Sequence, residues 1–173
     1  MNNWQRKQKF LGSPQEVRAA ALSALAKKHY AAAGLRQKLA PRLCPEQEQE
    51  LQFCLDEMIE EFCQKGYINE RKMVEEWIFY RQELSARGPF VVEQELLQKG
   101  VEPALVEEGL LLFYDEEKQM EVLSALIAKE LWHKPPQDQA DRRFWLRLAK
   151  RLAAKGFAME KVMSAIKNVD SEQ

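Results

Sequence analysis

The sequence predicts an all-α protein: an elongated, curved array of three tandem three-helix repeats, about nine helices in all. Three observations carry this. Apolar residues recur at steps of three and four along most of the chain, as one buried face of a helix requires. Helix starts and stops are punctuated by Pro and Gly, while Asn-Gly and Asp-Gly hairpin signals do not occur. One block of helix-and-stop features appears three times.

The elements follow in order. A first helix near 15–28 opens on Ser13-Pro14-Gln15-Glu16, where Ser13 accepts from the backbone and Glu16 reaches back as in a capping box. A second near 31–42 carries Leu35 and Leu39 at step four. The third, near 46–65, follows Cys44-Pro45-Glu46 and stacks Leu51, Leu55, Met58, Ile59 and Phe62 before stopping at Gly66. Asn69 is the N-cap of a fourth helix near 70–85. Gly88-Pro89 opens the fifth, near 89–99, which ends at Gly100, and Glu102-Pro103 opens the sixth, near 103–113. Asp115 starts the seventh, near 116–133, with Met120, Leu123, Ile127 and Leu131 in a stripe. Pro135-Pro136 then breaks the chain. The eighth helix, near 139–155, carries Phe144, Leu148 and Leu152 and stops at Gly156; the ninth lies near 159–168.

The repeat shows when Leu35–Cys44, Val92–Val101 and Leu148–Phe157 are aligned. Each has an apolar residue, another four later, a basic residue, a stop and a final apolar residue. The anchors Leu39, Leu96 and Leu152 are 57 and 56 residues apart. A longer helix precedes each block and a short one follows it. The expected organisation is a tail at 1–14 and repeats at 15–66, 67–113 and 114–173. One such unit buries little apolar surface alone, and stacking completes its core. The first copy departs most, with Leu43 at the Gly position, as terminal repeats do.

With 46% hydrophobic and 31% charged residues among 173, the chain is neither disordered nor collagenous. Its longest strongly apolar run, Leu110–Tyr114, falls far short of the ~20 residues of a membrane span. Cys44, Cys54 and Cys63 form no close pair, and the N-terminus lacks a secretory signal, so reduced thiols and a cytoplasmic location are expected. His29 and His133 lie far from the cysteines and from each other, which disfavours a zinc site. No Gly-rich phosphate loop, G-x-S-x-G elbow or H-E-x-x-H pair occurs, so the reading is of a protein that is not an enzyme and needs no cofactor or metal.

Charge carries the functional signal. The net charge is −1, yet residues 1–44 hold nine Lys and Arg against one acid, 45–123 hold seven against twenty, and 124–173 ten against six. Two basic stripes stand out as candidate partner-binding residues: Arg36, Lys38 and Arg42 on the second helix, and Arg142, Arg143, Arg147, Lys150, Arg151 and Lys155 on the eighth. At 100° per residue, Arg143, Arg147 and Lys150 lie opposite Phe144, Trp145, Leu148 and Leu152. Such stripes suit nucleic-acid phosphates or an acidic protein surface, and also suit plain solvation. Trp77 and Trp145, on apolar stripes, are expected in the core.

The motifs resemble the RecX family, bacterial modulators of the RecA recombinase. The carrying segment is Gly66-Tyr67-Ile68-Asn69-Glu70, a helix with Met73, Val74, Trp77 and Arg81, then Gly88-Pro89 through Glu95-Leu96 to Lys99-Gly100-Val101. The opening Ala21–Tyr30 with Leu35–Leu39, and the closing Leu148–Val162, are similar to the family's outer repeats. Three features depart from the pattern: Arg87 replaces a common aromatic, Ala33 and Gly34 replace a polar and acidic helix start, and the middle unit is unusually acidic. The resemblance implies tandem three-helix repeats and a monomer that binds RecA as its filament on single-stranded DNA. It implies lowered ATP hydrolysis, strand exchange and SOS co-protease activity, with weak direct DNA contact as a secondary expectation. An autonomous helical DNA-binding protein and a helical interaction scaffold are the rival readings. The apolar start Gly88-Pro89-Phe90-Val91-Val92 argues against a DNA-recognition helix in the middle unit.

Overall fold

Pro and side-chain caps set where the helices begin, and nine α-helices form among the described residues. They are α1 (Pro14–Leu25), α2 (Ala32–Leu39), α3 (Glu48–Gln64), α4 (Glu70–Glu83), α5 (Pro89–Gln98), α6 (Pro103–Phe113), α7 (Glu116–His133), α8 (Arg142–Ala154) and α9 (Met159–Ser171). The computed structural model describes residues 10–133 and 142–171. Trp4, the Pro135-Pro136 break and the start of the eighth helix at 139–141 lie outside the described residues.

The first helix of each expected repeat has a side-chain cap. Ser13 Oγ accepts from Glu16 N–H at 3.3 Å, Asn69 Oδ1 from Lys72 N–H at 3.0 Å and Asp115 Oδ1 from Lys118 N–H at 2.8 Å. Glu16 reaches back, though to the N–H of Gly12 rather than of Ser13. Two prolines shorten the expected helices. Pro41 has no N–H to continue α2, and the chain tightens into a 3₁₀ turn at Ala40–Arg42. A second such turn at Pro45–Gln47 precedes α3. Helix α1 stops at Leu25, three residues before the expected end.

The helices fall into two compact units. One gathers the described residues up to Met73 with Gln98–Val101; the other gathers Val74–Leu97 and the described residues from Glu102 onward. In the first unit Val17, Ala21, Leu35, Leu39, Leu51, Leu55, Ile59 and Phe62 form one buried cluster. In the second, Val92 and Leu96 of α5 and Leu148 and Leu152 of α8 are buried, with Ile78, Leu123, Ile127, Phe157 and Val162. The i, i+4 pairs that define the repeat are thus core residues, and burying each such Leu stabilises by roughly 2 kcal/mol.

Helix ends lock onto one another through backbone. In the second unit the N–H groups of Gly88 and Phe90, at the start of α5, donate to the carbonyls of Lys155 and Gly156, at the end of α8, at 2.8 and 3.3 Å. These are groups that a helix leaves unpaired at its ends. The approach is close enough that a Cβ on Gly88 would overlap the Gly156 carbonyl. Gly156 itself has φ +98° and lies against Val91. In the first unit, a Cβ on Gly34 near the start of α2 would overlap the Lys99 carbonyl. Lacking a Cβ, Gly34 admits the close approach of that carbonyl. The Arg42 carbonyl, at the same repeat position as those of Lys99 and Lys155, accepts from Leu11 N–H at 2.7 Å in an isolated bridge between Leu11 and Leu43.

Candidate functional site

The two basic stripes fall on α2 with its 3₁₀ extension and on α8, one in each unit, and each unit places them differently. Helix α8 is strongly amphipathic. Leu148, Ala149 and Leu152 are buried, whereas Arg142, Arg143, Arg147, Lys150 and Arg151 are exposed. Phe144 and Trp145 are half-buried and meet edge to face at 5.2 Å. Arg151 pairs with Glu130 of α7 at 2.9 Å. Lys155 is half-buried and lines a shallow cleft of about 310 Å³ with Gln82, Glu83, Lys118, Glu121 and Leu126. Lys118 is tied there to Glu121 and Glu83, which raises its pKa, the Glu121 hydrogen bond being the main cause.

The α2 stripe is more committed internally. Arg36 Nε donates to Asp56 of α3 at 2.6 Å, and the Arg36 hydrogen bond holds the Asp56 carboxyl below its usual range. Lys38 lies over the Tyr30 ring, 5.3 Å from its centroid. Arg42 is half-buried in the 3₁₀ turn. In the same unit Arg18 clamps Glu61 through two hydrogen bonds of 2.7 and 2.8 Å, and Lys65 adds a third of 2.6 Å. Those bonds, Arg18's foremost, hold Glu61 down at about 2.

The tryptophans correct the sequence expectation. Neither Trp77 nor Trp145 is fully buried. The reason is clear at Trp77: its indole N–H donates to Glu95 Oε2 at 3.0 Å, while Arg81 grips Glu95 through Nε and Nη2 at 2.7 and 2.8 Å and covers the indole ring at 4.8 Å. Arg81 also donates to Ser85 Oγ at 2.9 Å. Sequence reasoning did not find this network, which ties α4 to α5 within the second unit. Its one signal was the i, i+4 placement of Trp77 and Arg81, the family's aromatic-and-basic helix. Nearby, the buried Tyr114 hydroxyl donates to the Arg87 carbonyl at 2.7 Å, and burial pushes its pKa well above the ordinary range.

Among the described residues no group of three His, Cys, Asp or Glu is placed to hold a metal ion, and no helix is long and apolar enough to cross a membrane. His29, His133 and Cys63 are exposed, and Cys44 and Cys54 are half-buried with free thiols.

The helices and their locked ends define an all-α protein with basic residues exposed on α8. Residues 69–110 match the family model for the second three-helix domain of RecX. The regulatory protein RecX of Lactococcus lactis is 32% identical over 75 residues, covering 43% of this chain and 28% of that protein. RecX of Geobacillus kaustophilus is 27% identical, covering 80% of this chain and 46% of its own length. RecX of Pseudomonas entomophila is 26% identical, covering 88% and 90%. The chain thus spans less than half the length of the first two relatives. The crystal structure of RecX from Lactobacillus salivarius shares the fold with a TM-score of 0.70 at 21% identity, over 91% of this chain and 96% of that one. The chain is thus similar in sequence to the RecX family of regulatory proteins and shares the fold of a solved RecX.

Proposed function

We propose that this chain is a non-catalytic cytoplasmic regulator that binds the RecA recombinase, as its filament on single-stranded DNA, and restrains it. The consequences are lowered ATP hydrolysis, strand exchange and co-protease activity. Similarity to a family of regulatory proteins supports the class, and the resemblance supplies RecA as partner. The observation that carries the contact is α8, which buries Leu148 and Leu152 while turning Arg142, Arg147 and Lys150 to water. A charged face held on a packed helix is presented at fixed spacing, and it steers encounter with an acidic surface. The stripe on α2, with Arg36, Lys38 and Arg42, offers a second contact in the same chain. Linked contacts of modest strength gain from effective concentration when a partner repeats, as filament subunits do.

The test mixes the purified chain with RecA, single-stranded DNA and ATP, and follows ATP hydrolysis across sub-stoichiometric to stoichiometric ratios. The expected result is progressive inhibition with co-sedimentation of chain and filament. Absence of both would overturn the reading.

A further inference from the structure

Two faces of the second unit leave apolar side chains in water with opposite charge around them. Helices α4 and α6 lie side by side: a Cβ on Gly109 would overlap the Val74 side chain, and Gln82 Nε2 donates to the Phe113 carbonyl at 2.6 Å. On the outward surface of this pair, Phe79 of α4 and Leu111 and Leu112 of α6 are 63%, 72% and 64% exposed. A single exposed leucine is ordinary, but large apolar side chains on two adjoining helices form a patch of the kind that marks an interface. Its surroundings are acidic. Residues 74–83 and α6 together hold five Glu, and their one basic residue, Arg81, is held by Glu95.

The second face is the outside of α8. Arg142, Leu146 and Lys150 follow at i, i+4 and i+8, so they form one ridge along the helix, turned away from the buried Leu148 and Leu152. Leu146, at the middle of the ridge, is 54% exposed, and α8 has no acid. Each face has an apolar centre inside a charged rim, as interfaces do, and the two rims are of opposite sign. Both are open in a single chain, so neither covers the other. We infer that they cover each other between molecules: α8 of one copy of this chain docks on the α4–α6 face of a second copy. Leu146 then sits against Phe79 and Leu112, while Arg142 and Lys150 meet Glu75 and Glu107, both exposed. The occupant is a second copy because the chain itself carries the complementary face, as a heterologous contact requires. One helix laid on two is a small contact, so a dilute chain stays a monomer and association grows with concentration. The contact needs no RecA, so it stands or falls apart from the function proposed above.

The test is sedimentation equilibrium of the full chain alone, from low micromolar to near-millimolar concentration, with circular dichroism as the check on folding. One variant combines Phe79→Ser with Leu112→Ser, which removes the apolar centre of the acidic face. The other is Leu146→Glu, which sets a negative charge in the basic one. All three sites are more than half exposed, so both variants are expected to keep the parent's helicity. The parent's weight-average mass should rise with concentration, and each variant alone should hold the monomer mass throughout. An equimolar mixture of the two variants should regain association and stop at a 1:1 pair, because one intact α4–α6 face then meets one intact α8. A parent that stays monomeric at the highest concentration would overturn the proposal. So would parent-like association of either variant alone, or a mixture that stays monomeric where the parent associates.

Discussion

Helices α5 and α8 occupy equivalent places in the repeat, and their buried faces are nearly interchangeable: Val92 and Leu96 in one, Leu148 and Leu152 in the other. Their outward faces are opposites. Helix α5 has no Lys or Arg, and its Glu95 is spent on Arg81 and Trp77 within the unit. Helix α8 carries five basic residues, of which Arg151 is drawn to Glu130 while Arg142, Arg147 and Lys150 face water. The fold requires only the i, i+4 pair and the glycine-lined helix ends. The remaining positions are free to build either an internal clamp or an external contact. The middle repeat invests its charge in cohesion, whereas α8 leaves its charge on the exposed face.

The comparison breaks most sharply at the helix ends. Gly88→Val forces a side chain into the Gly156 carbonyl, with backbone on both sides, and is expected to cost more than about 3 kcal/mol in urea unfolding. Gly66 has φ +73° but open space around it, so Gly66→Ala should cost only about 1 kcal/mol. Equal losses would mean that the end-to-end packing matters no more than backbone conformation. The buried pairs come next. Leu96→Ala and Leu152→Ala should each cost about 3 kcal/mol despite their opposite outer faces, whereas Leu146→Ala, on the exposed side of α8, should stay within about 0.5 kcal/mol.

The clamp and the free face are then separated by charge removal. Glu95→Gln leaves Arg81 half-buried without its carboxylate and should cost about 2 kcal/mol, while Lys150→Gln should be nearly silent in the same unfolding assay. The smallest effect is on acid stability in the first unit. Glu61 titrates at about 2 in the folded chain against an ordinary 4.5, so its contribution is complete above 4.5 and is lost as pH falls through about 2. Glu61→Gln should flatten the melting-temperature profile over that window, and an unchanged profile would show that Arg18 and Lys65 do not stabilise the charged form.

Much of this was legible in the residues because caps and cores are local. Ser13, Asn69 and Asp115 announce helix starts by side-chain chemistry, and Leu35 with Leu39 or Leu148 with Leu152 announce a buried face by spacing. Pairing across helices is not local. Nothing in periodicity says that Trp77 will meet Glu95, 18 residues on, so a tryptophan on an apolar stripe looked like core and proved half-buried beside a salt bridge. For the same reason the stripes read from sequence include charges already paired within the fold, Arg36 with Asp56 and Arg151 with Glu130. The reading of a helix through 31–42 passed over Pro41, where the 3₁₀ turn forms, and the partner of that turn, Leu11, lies outside any helical pattern.

The central claim is that the outward face of α8 engages the RecA filament. Arg143→Glu, Arg147→Glu and Lys150→Glu combined in one chain test it, with co-sedimentation on RecA filaments and ATP hydrolysis as readouts and circular dichroism as the check on helicity. The account predicts unchanged helicity with loss of co-sedimentation and of inhibition. Full inhibition by the triple variant would contradict it and move the contact off α8.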